Sequence, residues 1–348
     1  MSFLKHFFLG GLLAAAFALP TAAGAAPEFE LVFQNANTPT HINQKALRAW
    51  VAEVEEKCGG RVKINIVDNN AITSRLGAYQ GLKDGAVDIA VFEPSITPNE
   101  MPLLTLLNMP FLAGSIKQNA KLFYAAIDQF PEMKAELGKG GEFLAAICSG
   151  SMTFASTAGQ TVTKPEDIKG KRVVVWSTEL TSAEVQDLGG LPTYLAVTDT
   201  YVGMQRGMGD MAYINFPTLR TLKLNEVVKA VSHLFVNNAL SVIAVNRDVW
   251  NELPEDIQKI FKETAGPKLT DQLAANMTES EQGDLQKCKD EGINVYALTA
   301  DEAAAFRSIM LAEGTKTQAW LETSLEKACL KDGKAWIKKM YEFAETVK

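Results

Sequence analysis

The chain has 348 residues, of which 47% are hydrophobic and 22% are charged, and its formal net charge is −7. A chain of this length and apolar content favours two lobes over a single small core. The acidic balance is mild and the sequence has no dense basic patch, which argues against nucleic acid as a partner.

The first 25 residues predict a signal peptide. Lys5 and His6 supply a short basic start, an apolar run follows at 7–19, and Ala23, Gly24 and Ala25 fit a small-residue cleavage site. The apolar run is too short for a membrane span, and no later stretch is long and apolar enough. We therefore expect an exported chain in the periplasm with no membrane span after processing; an uncleaved anchor is the alternative.

The segment after this leader alternates between strand and helix patterns. Strands are predicted at 29–33, 61–67 and 89–92, with helices at 42–57 and 76–83 between them. Such βαβαβ order is typical of a largely parallel sheet. After Trp250 the sequence is almost wholly helical and predicts packing layers around the sheets. The predicted fold class is α/β.

A series of short motifs between 164 and 228 identifies a resemblance. A Pro-Glu-Asp turn, a strand of valines, a Leu-Gly-Gly helix stop and a second helix follow in a fixed order. They match the second lobe of TRAP-transporter solute-binding proteins of the DctP type, and segments 60–64, 82–88, 108–112 and 245–256 resemble other parts of that family. The matching residues of the second lobe are Pro165, Glu166, Asp167, Gly170, Leu188, Gly189, Pro192, Asp199, Tyr201, Gln205, Gly207 and Asp210.

The resemblance implies a two-lobed periplasmic-binding-protein-like fold with a hinge cleft and a helix-rich C-terminal layer. Chain crossings between the lobes are expected near 150–156 and 235–245. We assign 26–150 and about 236–275 to lobe I, and 151–235 and about 276–348 to lobe II and the C-terminal helices. The implied function is capture of a small polar solute by hinge closure and its delivery to a TRAP membrane permease, by a monomer without a cofactor. A periplasmic sensor that uses the same cleft is the alternative.

Catalytic and metal-binding motifs are missing from the sequence. It contains no G-x-S-x-G, no H-E-x-x-H and no glycine-rich phosphate loop, and its three histidines are scattered. We therefore do not expect an enzyme.

The resemblance also implies two arginines that bind a ligand carboxylate, and this chain departs from both. Val174 aligns with the arginine that forms the bidentate clamp, and Met152 aligns with the supporting one. Arg172 lies two residues earlier, on the same strand face as Val174 but about 7 Å away. The other possible substitutes for the clamp are Arg75, Arg206 and Arg220.

Glu93 follows the strand at 89–92, where lobe I faces the cleft, and would place a negative charge there; a helix cap in the turn at 93–95 is the alternative. Four aromatic residues are candidate cleft walls, with core packing or sheet capping as the alternative for each: Trp176, Tyr201, Tyr213 and Phe216. Asp210 and Asn215 complete the predicted ligand-binding set. Aromatic walls beside one carboxylate suit a cationic or neutral solute better than a dicarboxylate, and an organic acid bound by another arginine is the alternative.

The four cysteines show no metal-ligand spacing. Cys288 and Cys329 both lie in helical C-terminal segments of an exported chain, so a disulfide between them is predicted. Cys148 lies in an apolar run and is expected to be a buried thiol.

Overall fold

The computed structural model describes residues 26–176, 179–328, 330 and 332–347. The predicted signal peptide at 1–25 lies outside these residues. None of the helices in the described part of the chain combines the length and hydrophobicity needed to cross a membrane.

Lobe I is built on a five-stranded sheet in which apolar residues fill both faces. Its strands are β1 (Phe29–Gln34), β2 (Val62–Val67), β3 (Ile89–Phe92), β4 (Glu142–Ser151) and β10 (Asn238–Val245), in the order β2-β1-β3-β10-β4. β1 pairs in parallel with β2 and β3, whereas β10 runs antiparallel to β3 and β4. Five helices come from the same part of the chain: α1 (Gln44–Lys57), α2 (Ala78–Lys83), α3 (Pro102–Thr105), α4 (Ile116–Gln129) and α5 (Pro131–Leu137).

Lobe II is built on a six-stranded sheet. Its strands are β5 (Thr153–Ser156), β6 (Arg172–Val175), β7 (Leu191–Tyr194), β8 (Met211–Ile214), β9 (Ala230–His233) and β11 (Asn294–Ala297), in the order β11-β9-β5-β8-β6-β7. Three short helices connect them: α6 (Glu179–Asp187), α7 (Thr200–Gln205) and α8 (Phe216–Thr221). The two sheets and their helices confirm the predicted α/β class.

The C-terminal helices cover both lobes. They are α9 (Arg247–Glu252), α10 (Glu255–Thr264), α11 (Gly266–Asp290), α12 (Ala300–Met310), α13 (Lys316–Lys327) and α14 (Gly333–Thr346). Leu273 near the start of α11 packs in the core of lobe I, and Cys288 near its end packs in the core of lobe II. The 25-residue helix α11 therefore spans the two lobes.

The last two helices pack on lobe I as well as lobe II, within the stretch that the prediction assigned to lobe II and C-terminal helices. Leu325 of α13 and Met340 of α14 share a core with Phe123 of lobe I, whereas Phe306 of α12 packs in lobe II. The apolar stripe of an amphipathic helix shows that it packs on a core but not which core it covers. α13 also contacts lobe II, because the backbone N–H groups of Lys316 and Thr317 donate to the carboxylate of Asp187 in α6 at 2.7 and 3.0 Å. The helices after α12 therefore contact both lobes.

The first two crossings between the lobes lie side by side. Met152 alone separates β4 from β5, and its backbone N–H donates a hydrogen bond to the carbonyl of Asn237, in the segment before β10, at 3.1 Å. Ser151 Oγ donates to Glu281 Oε1 of α11 at 2.6 Å and lies 3.0 Å from His233 Nε2, at the end of β9. Ser151, His233 and Glu281 form a cluster, the hinge cluster, that links three connections between the lobes.

The predicted disulfide is not supported. Cys288 is a free, buried cysteine in the core of lobe II, and Cys329 lies outside the described residues. Leu325 and Leu330, close to Cys329 in sequence, pack against the core of lobe I. Cys58 and Cys148 are also free and buried, and burial raises the pKa of the Cys148 thiol to about 12.

Candidate functional site

A cavity of about 260 Å³ lies between the lobes, next to the two adjacent crossings. About nine molecules occupy this volume in liquid water. The cavity therefore suits a solute of roughly ten non-hydrogen atoms. Lobe I contributes mainly polar side chains, and lobe II contributes mainly apolar ones. Residues of both lobes line the cavity, so a bound molecule contacts both.

An ion pair between Arg75 and Glu93 lies in the wall from lobe I. Arg75 precedes α2, and Glu93 directly follows β3, where a strand of the sheet ends at the cleft. The guanidinium Nη2 lies 2.7 Å from Oε1 and 2.5 Å from Oε2 of the carboxylate, and Nε lies 2.9 Å from Oε1. The Glu93 side chain is only 12% exposed, and its charge raises the pKa of Arg75. The two opposite charges cancel, so the pair carries no net charge.

Neutral polar groups make up most of the rest of this wall. Both amide atoms of Asn43 are buried without a hydrogen-bond partner within the described residues, and so is Nδ2 of Asn108, whose Oδ1 accepts from the backbone N–H of Leu240. The backbone N–H of Asn43 donates to Nδ1 of His41 at 3.2 Å, which places the imidazole proton on Nε2. Burial lowers the pKa of His41 to about 4, so this ring is neutral at pH 7.

The wall from lobe II is mostly apolar. Trp176 follows β6, and its indole N–H donates to Thr200 Oγ1 at 2.8 Å. The donor of the indole is therefore already used, and the ring offers a ligand an apolar surface. Met152, Val175, Leu180 and Tyr213 extend this surface.

A buried carboxyl group lies behind the cavity at the second crossing. Asn237, which lines the cavity, donates from Nδ2 to Glu184 Oε1 of α6 at 2.7 Å. Burial raises the pKa of Glu184 to about 8, so this carboxyl is protonated at neutral pH. The Tyr213 hydroxyl and Glu184 Oε2 are buried and have no partner of standard geometry among the described residues, although the nearby carboxyl adds to the effect of burial in raising the pKa of Tyr213.

The structure brings five of the ten predicted site residues to the cavity: Glu93, Met152, Trp176, Tyr213 and Asn215. Asn215 also caps α8, because its Oδ1 accepts from the backbone N–H of Thr218 at 2.9 Å. The charge predicted for Glu93 is present, but Arg75 neutralises it. Arg75 is also the one alternative clamp residue that lines the cavity.

The other five predicted residues lie elsewhere. Val174 faces the opposite side of β6 from Val175 and packs in a core that also contains Phe216. Arg172 is exposed and pairs with Asp210 at 2.6 Å, and Tyr201 donates to Glu226 at 2.8 Å near the surface.

The two remaining alternatives for the clamp also lie away from the cavity. Arg220 pairs with Glu291, and Arg206 is exposed.

Sequence reasoning missed the neutral polar residues of the cavity. His41 and Asn43 carry no motif and precede α1, where a polar residue is commonplace. Asn108 begins the segment 108–112 that resembles the family, but that resemblance did not mark it as a cavity residue. Asn237 could have been found, because it falls in the predicted second crossing.

The fold places the chain among two-lobed solute-binding proteins. A TRAP solute-binding protein from Rhodoferax ferrireducens, solved with copurified benzoate, has a TM-score of 0.80 at 18% identity and covers 91% of this chain and 98% of its own. A TRAP periplasmic solute-binding protein from Chromohalobacter salexigens, solved with bound D-glucuronate, has a TM-score of 0.77 at 22% identity and covers 90% of this chain and 99% of its own. These similarities establish the fold.

The sequence comparisons establish the family. The profile of the DctP family, described as bacterial extracellular solute-binding protein family 7, matches residues 33–318. A solute-binding protein from Chromohalobacter salexigens is 27% identical over 280 residues, 79% of this chain and 81% of that protein. The C4-dicarboxylate-binding periplasmic protein DctP from Rhodobacter capsulatus is 26% identical over 310 residues, 87% of this chain and 90% of that protein. The chain belongs to the DctP family and is a TRAP-type solute-binding protein.

Proposed function

We propose that this protein captures one small polar organic solute per chain in the periplasm and delivers it to the membrane permease subunits of a TRAP transporter. The observation that carries the proposal is the cavity between the lobes, bounded on one side by polar groups of lobe I and on the other by Trp176 and its apolar neighbours. A solute held there touches both lobes at once and therefore stabilises their closed arrangement by its differential affinity.

The relatives give a starting range of ligands. Their names and structures describe C4-dicarboxylate, benzoate and D-glucuronate, which are organic acids of widely different shape. Among the described residues, Arg75 is the one arginine at the cavity. It can bind an acid ligand only if its guanidinium gives up Glu93 or contacts Glu93 and the ligand together. The cavity volume of about 260 Å³ accommodates molecules of the size of benzoate or a small sugar.

The experiment is a thermal-shift screen over organic acids, amides, amines, polyols and amino acids. A true ligand at about 100 times its Kd stabilises the folded protein by roughly 2.7 kcal/mol. Hits are followed by small-angle scattering, where closure should reduce the radius of gyration. Reconstitution with the permease subunits then separates transport from sensing: solute uptake that depends on this protein supports the proposal, and binding without uptake contradicts it.

A further inference from the structure

We propose that the solute carries no net charge and is recognised by hydrogen bonds, as a small hydroxyl- or amide-bearing molecule with one apolar side. This inference rests on the proposed function and specifies the substrate class of the same cavity. It departs from the acids bound by the relatives, and it depends on three features of the cavity wall.

The first feature is the charge balance. Within the described residues, Arg75 and Glu93 are the only charged side chains that line the cavity, because His41 is neutral. The contacts of 2.5 to 2.9 Å between the two groups already satisfy the carboxylate in a bidentate arrangement. The cavity therefore offers a ligand no surplus charge of either sign.

A charged solute would disturb this balance. A carboxylate that binds Arg75 places two anions on one guanidinium, and an ammonium that binds Glu93 places two cations on one carboxylate. Either leaves one charge without compensation, and the cost is greatest for Glu93, whose side chain is only 12% exposed against 33% for Arg75. A neutral solute leaves the ion pair intact and avoids this cost. The ion pair also argues against a cationic ligand. That expectation from the sequence assumed that no positive charge compensates Glu93.

The second feature is Asn43, which lines the cavity, is only 1% exposed, and has an amide donor and an amide acceptor that are both without a partner within the described residues. A carboxylate can accept from Nδ2 but cannot donate to Oδ1, so it leaves a buried acceptor unsatisfied. A hydroxyl or primary amide can do both. Nδ2 of Asn108 supplies a further donor without adding charge.

The third feature is the wall of Trp176, Met152 and Leu180, opposite the polar groups. Because the indole N–H is bound to Thr200, this side gains most from contact with carbon atoms. A molecule that is polar on every side would leave part of this wall without a favourable contact. The three features together specify a neutral solute with one polar and one apolar side.

Titration calorimetry with matched pairs tests the inference. The probes are lactate and lactamide, mandelate and mandelamide, and benzoate and benzamide, with benzylamine as the cationic member. We expect the wild-type protein to bind at least one amide about ten-fold or more tightly than its matched acid, and to bind benzylamine more weakly than benzamide. Wild-type protein that prefers the acid in every pair it binds would overturn the inference.

Charge variants supply the second arm. Glu93→Gln removes the carboxylate that balances Arg75, so acids should gain about ten-fold or more relative to amides. The double variant Arg75→Gln/Glu93→Gln is again balanced, and its preference should return to the amides. Glu100→Gln removes a partly exposed carboxylate that pairs with Lys83 outside the cavity, changes the net charge equally, and should leave the preference unaltered.

The variants also separate the inference from the proposed function. An unchanged acid-to-amide ratio in Glu93→Gln would overturn the inference while leaving a solute receptor in place. A folded wild-type protein that binds no member of the panel, in any charge class, would count against the proposed function and therefore against both.

Discussion

Substitution of Glu281 tests whether the hinge cluster couples the two lobes. Its carboxylate accepts the Ser151 hydroxyl at 2.6 Å and lies 3.3 Å from His233 Nε2, and the side chain is only 11% exposed. A buried hydrogen bond to a charged acceptor contributes about 1.5–3 kcal/mol. Glu281→Ala should therefore lower the free energy of unfolding by roughly that amount, a change of about 10- to 100-fold in the unfolding equilibrium.

The assay is urea unfolding of the ligand-free protein, followed by tryptophan fluorescence. Glu281→Gln keeps an acceptor for Ser151 and should recover at least half of the loss. Glu279→Ala, at an exposed position of the same helix, is the matched control and should change stability by less than about 0.5 kcal/mol. If Glu281→Ala is as stable as Glu279→Ala, the hinge cluster does not couple the lobes.

Three further predictions concern the core and the buried titratable groups. Burial raises the pKa of Glu184 to about 8 from 4.5, so the stabilisation from its protonated form is complete below about pH 4.5 and is lost as the pH rises through 8. In thermal melts, Glu184→Gln should show a flatter dependence of stability on pH than wild type and a higher stability at pH 9. Parallel pH profiles for the two proteins would contradict this. Gly209→Ala places a Cβ 2.4 Å from Val174 Cγ2 and should cost about 1–3 kcal/mol in denaturant unfolding, whereas Gly283→Ala, which meets nothing within 4 Å, should be neutral or stabilising. Because Cys288 is a free thiol, reductant should leave the melting temperature of the exported protein unchanged. A clear drop in melting temperature would indicate that the disulfide is present.

The architecture follows closely from the sequence because its signals are local. The alternation of strand and helix patterns from Phe29 onward predicts the sheet of lobe I, and the resemblance of the motifs from Pro165 to Asp210 to the DctP family implies lobe II. Glu93 is predicted for a physical reason, since it directly follows a strand whose end lies at the cleft, whereas Trp176 is predicted as an aromatic residue close to the position of the family's arginine.

The site could be predicted only in part because its chemistry depends on pairs that are distant in sequence. The pairing of Arg75 with Glu93 spans 18 positions and reverses the electrostatic meaning of Glu93. The run from Val173 to Val175 shows no alternation, so it does not reveal that Val175, and not Val174, faces the cavity. Asn43 acquires significance only because its amide is buried without a partner among the described residues.

A crystal structure of the protein with its bound solute tests the central claim most directly. We expect one molecule per chain in the cavity between the lobes, with polar atoms on Asn43 and carbon atoms against Trp176, and with the Arg75–Glu93 ion pair intact beside it. A solute held by one lobe alone, or bound outside this cavity, would contradict the proposed mode of capture.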